Sequence, residues 1–222
     1  MSKLYIIPTP IGNLEDITLR ALRILKEVDL IFSEDTRKSG ILLNHYEIHS
    51  SLHSYHNYNE HATLKHYINL IKNSESAALI SDAGTPGISD PGFLLVRECL
   101  RNDIDVECLP GPVAFVPALV NSGLPIDNFC FKGFLPSKKR QSKIKAIIDS
   151  ECTVAFYESP FRLLKTLEQL AEAGAKDRKA SVSRELTKIY EETVRGTVEE
   201  IYNYYKDKTI KGEIVIVIQG KE

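Results

Sequence analysis

The chain has 222 residues, 43% of them hydrophobic and 26% charged, with a formal net charge of −2. That length holds one large domain or two small ones with real cores, and the charge excludes a global basic field that would advertise nucleic acid. The first apolar run is too short for a signal segment and is broken by Pro8 and Pro10, and no run approaches the ~18 apolar residues of a membrane span, so neither is expected.

In chain order, Leu4–Ile7 reads as a buried strand. Leu14–Val28 reads as an amphipathic helix, with Leu14, Ile17, Ala21, Leu22, Leu25 and Val28 at helical spacing. A strand at Asp29–Phe32 follows, then helices at Ser39–Tyr46 and Glu60–Lys72, a strand at Ala77–Ser81, a helix at Phe93–Arg101 and a strand at Ile104–Leu109. Pro110–Pro125 holds four of the ten prolines, with Gly111 and Gly123, and marks a boundary with a short helix near Ala114–Val120. Two units, 1–113 and 114–222, are expected. In the second, strands are predicted at Phe129–Lys132, Thr153–Tyr157, Lys179–Ser183, Glu191–Arg195 and Glu213–Ile218, and helices at Lys139–Ile148, Phe161–Ala173 and Val198–Tyr205. The alternation argues for an α/β fold, with a mostly parallel sheet in the first unit and a mixed sheet in the second.

Functional loops of parallel sheets sit at the carboxyl ends of strands. Four such positions carry glycine, proline or charge clusters: Pro8–Gly12, Glu34–Arg37, Asp82–Gly92 and Pro110–Pro112. None is a dinucleotide fingerprint or a P-loop. Turn chemistry alone explains any one of them, but several at one sheet edge would converge in space.

The six histidines fall between His45 and His66 without an HExxH pattern, so exposed polar side chains are expected and no metal site. The polar, aromatic segment 54–60, which includes His56, suits a substrate-facing loop or an ordinary surface loop. Cys99, Cys108, Cys130 and Cys152 form no CxxC pair, which fits reduced thiols in a reducing cytosol. No acidic residue lies between Asp127 and Asp149, where Lys132, Lys138, Lys139, Arg140, Lys143 and Lys145 stand. That window reads as a phosphate patch or as the solvated face of a helix.

Ile7-Pro-Thr-Pro-Ile-Gly-Asn-Leu-Glu-Asp-Ile-Thr-Leu-Arg-Ala-Leu22 resembles the opening of the tetrapyrrole methylase superfamily. Within it, the chain is most similar to the ribosomal RNA small-subunit methyltransferase I family. The other hallmarks are Glu34-Asp-Thr-Arg37, Ser81-Asp-Ala-Gly-Thr-Pro-Gly-Ile-Ser-Asp-Pro-Gly92, Leu109-Pro-Gly-Pro112, Phe156-Tyr-Glu-Ser-Pro160, Arg184-Glu-Leu-Thr-Lys188, Val194-Arg-Gly196 and Gly212-Glu-Ile-Val215. The resemblance implies two α/β lobes with S-adenosylmethionine in the cleft between them, unlike a Rossmann methyltransferase. It also implies a cytoplasmic homodimer that methylates the ribose 2′-hydroxyl of a decoding-centre cytidine in 16S rRNA, as free rRNA or in the small subunit. Carried over residue by residue, it places cofactor contacts at Pro10, Gly12, Ala83, Gly84, Thr85, Ile88, Val113, Ala114, Glu158 and Leu186, many through backbone. Family members often continue into a small helical extension, whereas this sequence stops at Glu222, so RNA contacts are expected elsewhere. Arg37, His56, Lys138, Lys139 and Arg140 are the expected substrate contacts.

Methyl transfer to a ribose hydroxyl benefits from a base or a strong hydrogen-bond acceptor. Adjacent strand residues point to opposite faces, and Asp35 and Arg37 stand two apart, as a pair would. Glu34 is therefore the expected base or hydroxyl orienter, its alternative being a cap or ion-pair role. A side chain at Gly84 is expected to block the cofactor while leaving the fold intact. Two other functions stay open. A tetrapyrrole-type small-molecule methyltransferase would have a more glycine-rich first loop, and a non-catalytic RNA-binding ribosome-assembly protein would have a degraded cofactor loop.

Overall fold

The structure, a computed structural model, describes residues 2–55 and 60–221, side chains excepted at 60–63. The chain divides into two compact units, Met1–Val113 and Ala114–Glu222.

The first unit holds β1 (Lys3–Ile7), α1 (Leu19–Glu27), β2 (Leu30–Ser33), α2 (Thr36–His45), β3 (Ser51–Ser54), α3 (Glu60–Lys72), β4 (Ser76–Ile80), α4 (Phe93–Arg101) and β5 (Asp105–Cys108). Its five strands run in the order β3-β2-β4-β1-β5, and every pair is parallel. The inner strands are nearly continuous apolar runs because both their faces are covered. Leu4, Ile6, Phe32, Ala77 and Leu79 meet α3 and α4 through Tyr67, Ile68, Ile71, Leu95 and Cys99. On the other side, Ile7, Ile31, Ala78 and Ile80 meet α1 and α2 through Ala21, Ile24, Leu25 and Leu43. The edge strands β3 and β5 are half-exposed and polar, which blunts edge pairing.

The long helix predicted over Leu14–Val28 is two elements. Asn13 caps a single 3₁₀ turn at Leu14–Asp16, and Thr18, in extended conformation, accepts a hydrogen bond from Ala21 N to start α1. Helical spacing of apolar residues runs across this break because Ile17 is buried from the linker. β3 went unpredicted: Ser-Leu-His-Ser has neither an apolar run nor strict alternation, and pairing with β2 makes it a strand.

The second unit holds α5 (Phe115–Ser122), β6 (Phe129–Phe134), α6 (Arg140–Ile148), β7 (Thr153–Glu158), α7 (Leu163–Leu170), β8 (Lys179–Arg184), β9 (Glu192–Thr197), α8 (Val198–Tyr205) and β10 (Ile214–Ile218). A π turn at Ala171–Ala175 extends α7 and contains Gly174, whose φ is +101°. The order is β6-β7-β10-β8-β9, with only β6–β7 parallel. One face carries the large core: Val154, Phe156, Val182, Ile214, Ile216 and Ile218 against Ile144, Ile147, Leu163, Leu167, Leu170, Val198 and Ile201. The alternate residues Ala155, Val215, Val217, Ser181 and Ser183 are buried on the opposite face, where α5 lies against β7, β8 and β10.

Candidate active site

In open α/β sheets, ligands bind outside the carboxyl ends of strands where neighbouring strands send their helices to opposite faces. β4 meets this condition on both sides. Its helix α4 packs on one face, while the helices after its neighbours β1 and β2 pack on the other. The loops after β1, β2 and β4 therefore flank two crevices at one edge, and the loop after β5 borders them.

These four loops are joined by specific bonds. Thr9 and Gly84 exchange backbone hydrogen bonds, each 2.9 Å. The Thr9 hydroxyl donates to Ser81 O at 3.0 Å, and the Ser81 hydroxyl to Gly84 O at 2.9 Å. The Thr85 hydroxyl donates to Pro112 O at 2.9 Å. Gly111 lies so close to the Pro8 ring that a Cβ there would come within 2.7 Å of it. Asp82 joins the second loop to the third: Oδ1 accepts from Asp35 N at 3.2 Å and Oδ2 from Lys38 Nζ at 2.7 Å. Sequence reasoning missed Asp82 because nothing along the chain relates it to a lysine 44 positions earlier.

Gly84 has φ +82°, a backbone conformation that L side chains rarely adopt. A Cβ there would make only ordinary contacts, 3.5 Å to Ile11 Cγ2 and 3.7 Å to Pro112 O. The expectation that a side chain at Gly84 would leave the fold intact is thus corrected. The obstacle is the backbone, and a β-branched residue would strain the Thr9–Gly84 bridge itself. Around Gly84, Ala83 and Thr85 are half-buried and Ile88 is exposed; Pro10 is half-buried and Gly12 exposed on the first loop.

Glu34 is half-buried between β2 and α2, and its carboxylate makes no hydrogen bond among the described residues. Asp35 is fully engaged: it caps α2 through Arg37 N and forms a two-point pair with the Arg37 guanidinium at 3.1 and 3.0 Å. The hydrogen bonds from Arg37 hold the Asp35 carboxyl down to about 2. Arg37 itself is exposed beyond that pair.

Val113 ends the first unit and Ala114 precedes α5 in the second, both half-buried. Leu186 is buried in the loop after β8, between Glu185 at φ +53° and Thr187 at φ +68°. A left-handed, β-branched Thr187 is a strained position of the kind that clusters at functional sites. Its hydroxyl is buried with no partner among the described residues. Positive φ at threonine leaves no trace in a sequence, so Thr187 was not foreseen.

Two residues expected as contacts have side chains committed to the interior. Glu158 is buried at the end of β7, where Arg140, Arg162, Thr166 and the Ser159 amide surround its carboxylate. That side chain has no capacity left for a ligand. Arg140, expected in the exposed basic patch, is only 9% exposed and is held by Glu158, Gln169 and Thr166. Lys138 and Lys139 are exposed just before α6. His56 lies outside the described residues. A pocket of about 400 Å³ in the second unit, lined by Glu168, Glu172 and Glu199 among others, has the wrong charge for a polyanion. No helix among the described residues is long and apolar enough to cross a membrane, and no cluster there could hold a metal.

The fold and the joined loops define a class. The family model of the tetrapyrrole (corrin/porphyrin) methylases matches residues 3–202. Uroporphyrin-III C-methyltransferase from Thermus thermophilus, solved with S-adenosylhomocysteine, superposes with a TM-score of 0.65 at 17% identity, covering 97% of this chain and 96% of that one. Closer relatives narrow the class. Ribosomal RNA small subunit methyltransferase I of Hydrogenobaculum sp. is 48% identical over 97% of this chain and 95% of its own. The Thermotoga maritima protein of the same name is 46% identical over the full length of both. The chain belongs to the tetrapyrrole methylases and, within them, to the ribosomal RNA small subunit methyltransferase I family.

Proposed function

We propose that the chain transfers a methyl group from S-adenosylmethionine to the ribose 2′-hydroxyl of a decoding-centre cytidine in 16S rRNA, free or in the small ribosomal subunit. The observation that carries this reading is near-half identity, along the whole chain, to relatives named for small-subunit rRNA methylation. Family resemblance also supports a homodimer working in the cytoplasm.

The residues present suit the cofactor. A nucleoside joined to an amino acid needs close backbone approach and an apolar wall. The loop after β4 offers backbone at the half-buried Ala83 and Thr85 on either side of Gly84, and the exposed Ile88 supplies apolar surface. We assign Pro10, Gly12, Ala83, Gly84, Thr85, Ile88 and Val113 to cofactor binding.

When bound, the cofactor supplies a methyl group on positively charged sulfur, an electrophile for an oxygen nucleophile in line with it. Glu34 accepts a hydrogen bond from the ribose hydroxyl and takes up its proton. Asp35 cannot share that task, because Arg37 occupies it. Asp82 fixes the loop that bears Glu34 by holding Asp35 N and Lys38.

Unmodified small subunits incubated with the protein and labelled S-adenosylmethionine should gain a ribose methyl that maps to one cytidine of 16S rRNA. Glu34→Gln should bind the cofactor normally and turn over roughly 10²-fold more slowly, the scale of a lost general base. Unchanged turnover would make Glu34 structural. Label absent from rRNA, or label passed to a tetrapyrrole instead, would sink the reading.

A further inference from the structure

A row of aromatic rings runs along the edge strand of the second unit. Phe115 stacks on Phe131 with centroids 4.3 Å apart and lies 6.3 Å from Phe129. Tyr157 meets Phe131 edge-on at 5.0 Å and Phe134 at 5.2 Å.

Strict alternation would put Phe131 and Phe134, three positions apart, on opposite faces of the sheet. The register forbids it. Phe131 pairs with Ala155 and Phe134 with Tyr157, so three steps along β6 match two along β7. The extra residue is a β-bulge at Gly133, whose φ is +60°. Bulges re-aim the side chains that follow them. This one brings Phe134 to the face of Phe129, Phe131 and Tyr157, away from the main core.

The outcome is apolar surface in water. Phe134 is 56% exposed and Phe129 42%. A core role does not explain Phe134, since more than half of its surface is exposed. Exposed Lys138 and Lys139 follow it within five residues, in a stretch of the sequence without a carboxylate. Protein–protein interfaces concentrate aromatic residues but are depleted of lysine. Single-stranded nucleic acid sites combine a cationic track with aromatic rings on which bases stack.

We propose that Phe134, set by the Gly133 bulge and backed by Tyr157, is a stacking platform for an unpaired base of the RNA substrate, with Lys138 and Lys139 holding the flanking phosphates. This rests on the rRNA reading above and deepens it: the substrate is held as a splayed single strand, as sequence-specific RNA recognition generally requires. Stacking is sequence-tolerant and independent of salt, whereas the phosphate contacts are salt-dependent.

The test measures binding of an unstructured RNA oligomer at several salt concentrations. Phe134→Ala should weaken binding about tenfold at every salt concentration, leaving the salt slope unchanged. Phe134→Trp should restore affinity. The native chain has no tryptophan, so the new indole is the sole reporter, and RNA should quench its fluorescence. Native affinity in Phe134→Ala, or an unquenched indole while RNA is bound, would overturn the platform. So would a change in oligomeric mass without a change in RNA affinity, which would assign the face to a second copy. Wild-type protein that methylates subunits while Phe134→Ala binds RNA normally defeats the platform alone. Wild-type protein that binds no RNA and methylates no small subunits defeats the functional reading as well.

Discussion

Arg140 stands in a run of lysines, and its place in the fold is opposite to theirs. Its guanidinium reaches Glu158 and Thr166 beneath the end of β7, and Arg162 takes the second Glu158 oxygen. Removing one partner of a buried pair leaves an uncompensated charge and typically costs about 3–5 kcal/mol. Arg140→Ala should therefore destabilise the protein on that scale, read as a lower denaturant midpoint. Lys139→Ala, at an exposed position, should stay within about 0.5 kcal/mol. Equal effects would mean that Arg140 is not the interior residue described. A sequence cannot separate these neighbours, because both are cations in a polar run. What distinguishes them is the arrival of Glu158 from a strand 18 positions later.

Element boundaries were legible wherever local chemistry marks them. Glu60–Lys72, Phe93–Arg101 and Val198–Tyr205 have the predicted limits. α8 shows why: Thr197 accepts from Glu200 N at 3.1 Å while the Glu200 carboxylate accepts from Thr197 N at 2.7 Å, a reciprocal capping box. Thr197→Ala should cost about 1 kcal/mol, measured by thermal unfolding, and Thr197→Ser should restore most of it. No loss in the alanine variant would mean that packing of Val198, Ile201 and Tyr205 alone holds α8. Elements defined by partners fared worse, as β3 and the bulge in β6 show. Neither follows from its own residues, and both follow from the neighbouring strand.

For the whole molecule, the question is how a protein of net charge −2 holds a polyanion. The acid-free window keeps five exposed lysines once Arg140 is assigned to the interior. Because binding releases counterions, each lost phosphate contact should remove roughly 0.7–0.9 of a unit from the slope of log affinity against log salt. Lys138→Glu combined with Lys139→Glu should weaken RNA binding and flatten that slope by about two units. Phe134→Ala should lower affinity without flattening it. Cofactor affinity should not change in the lysine variant, since the proposed cofactor loops carry neither residue. Identical affinities and slopes would make the segment an ordinary solvated face.

The sequence by itself determined the α/β class, the parallel and mixed sheets, the four glycine-, proline- and charge-rich loops and the family. Each depends on local periodicity, on turn chemistry, or on motifs read in order along the chain. It also singled out Glu34, since the Asp35–Arg37 pair two positions apart left one carboxylate unclaimed. Only the tertiary structure decided which polar groups are already spent and which remain. It enclosed Arg140 and Glu158 together, tied Asp82 to Lys38, left the buried Thr187 hydroxyl without a partner among the described residues, and turned Phe134 outward. Those outcomes depend on contacts between residues far apart in the chain, and on backbone angles that side-chain identity alone does not set.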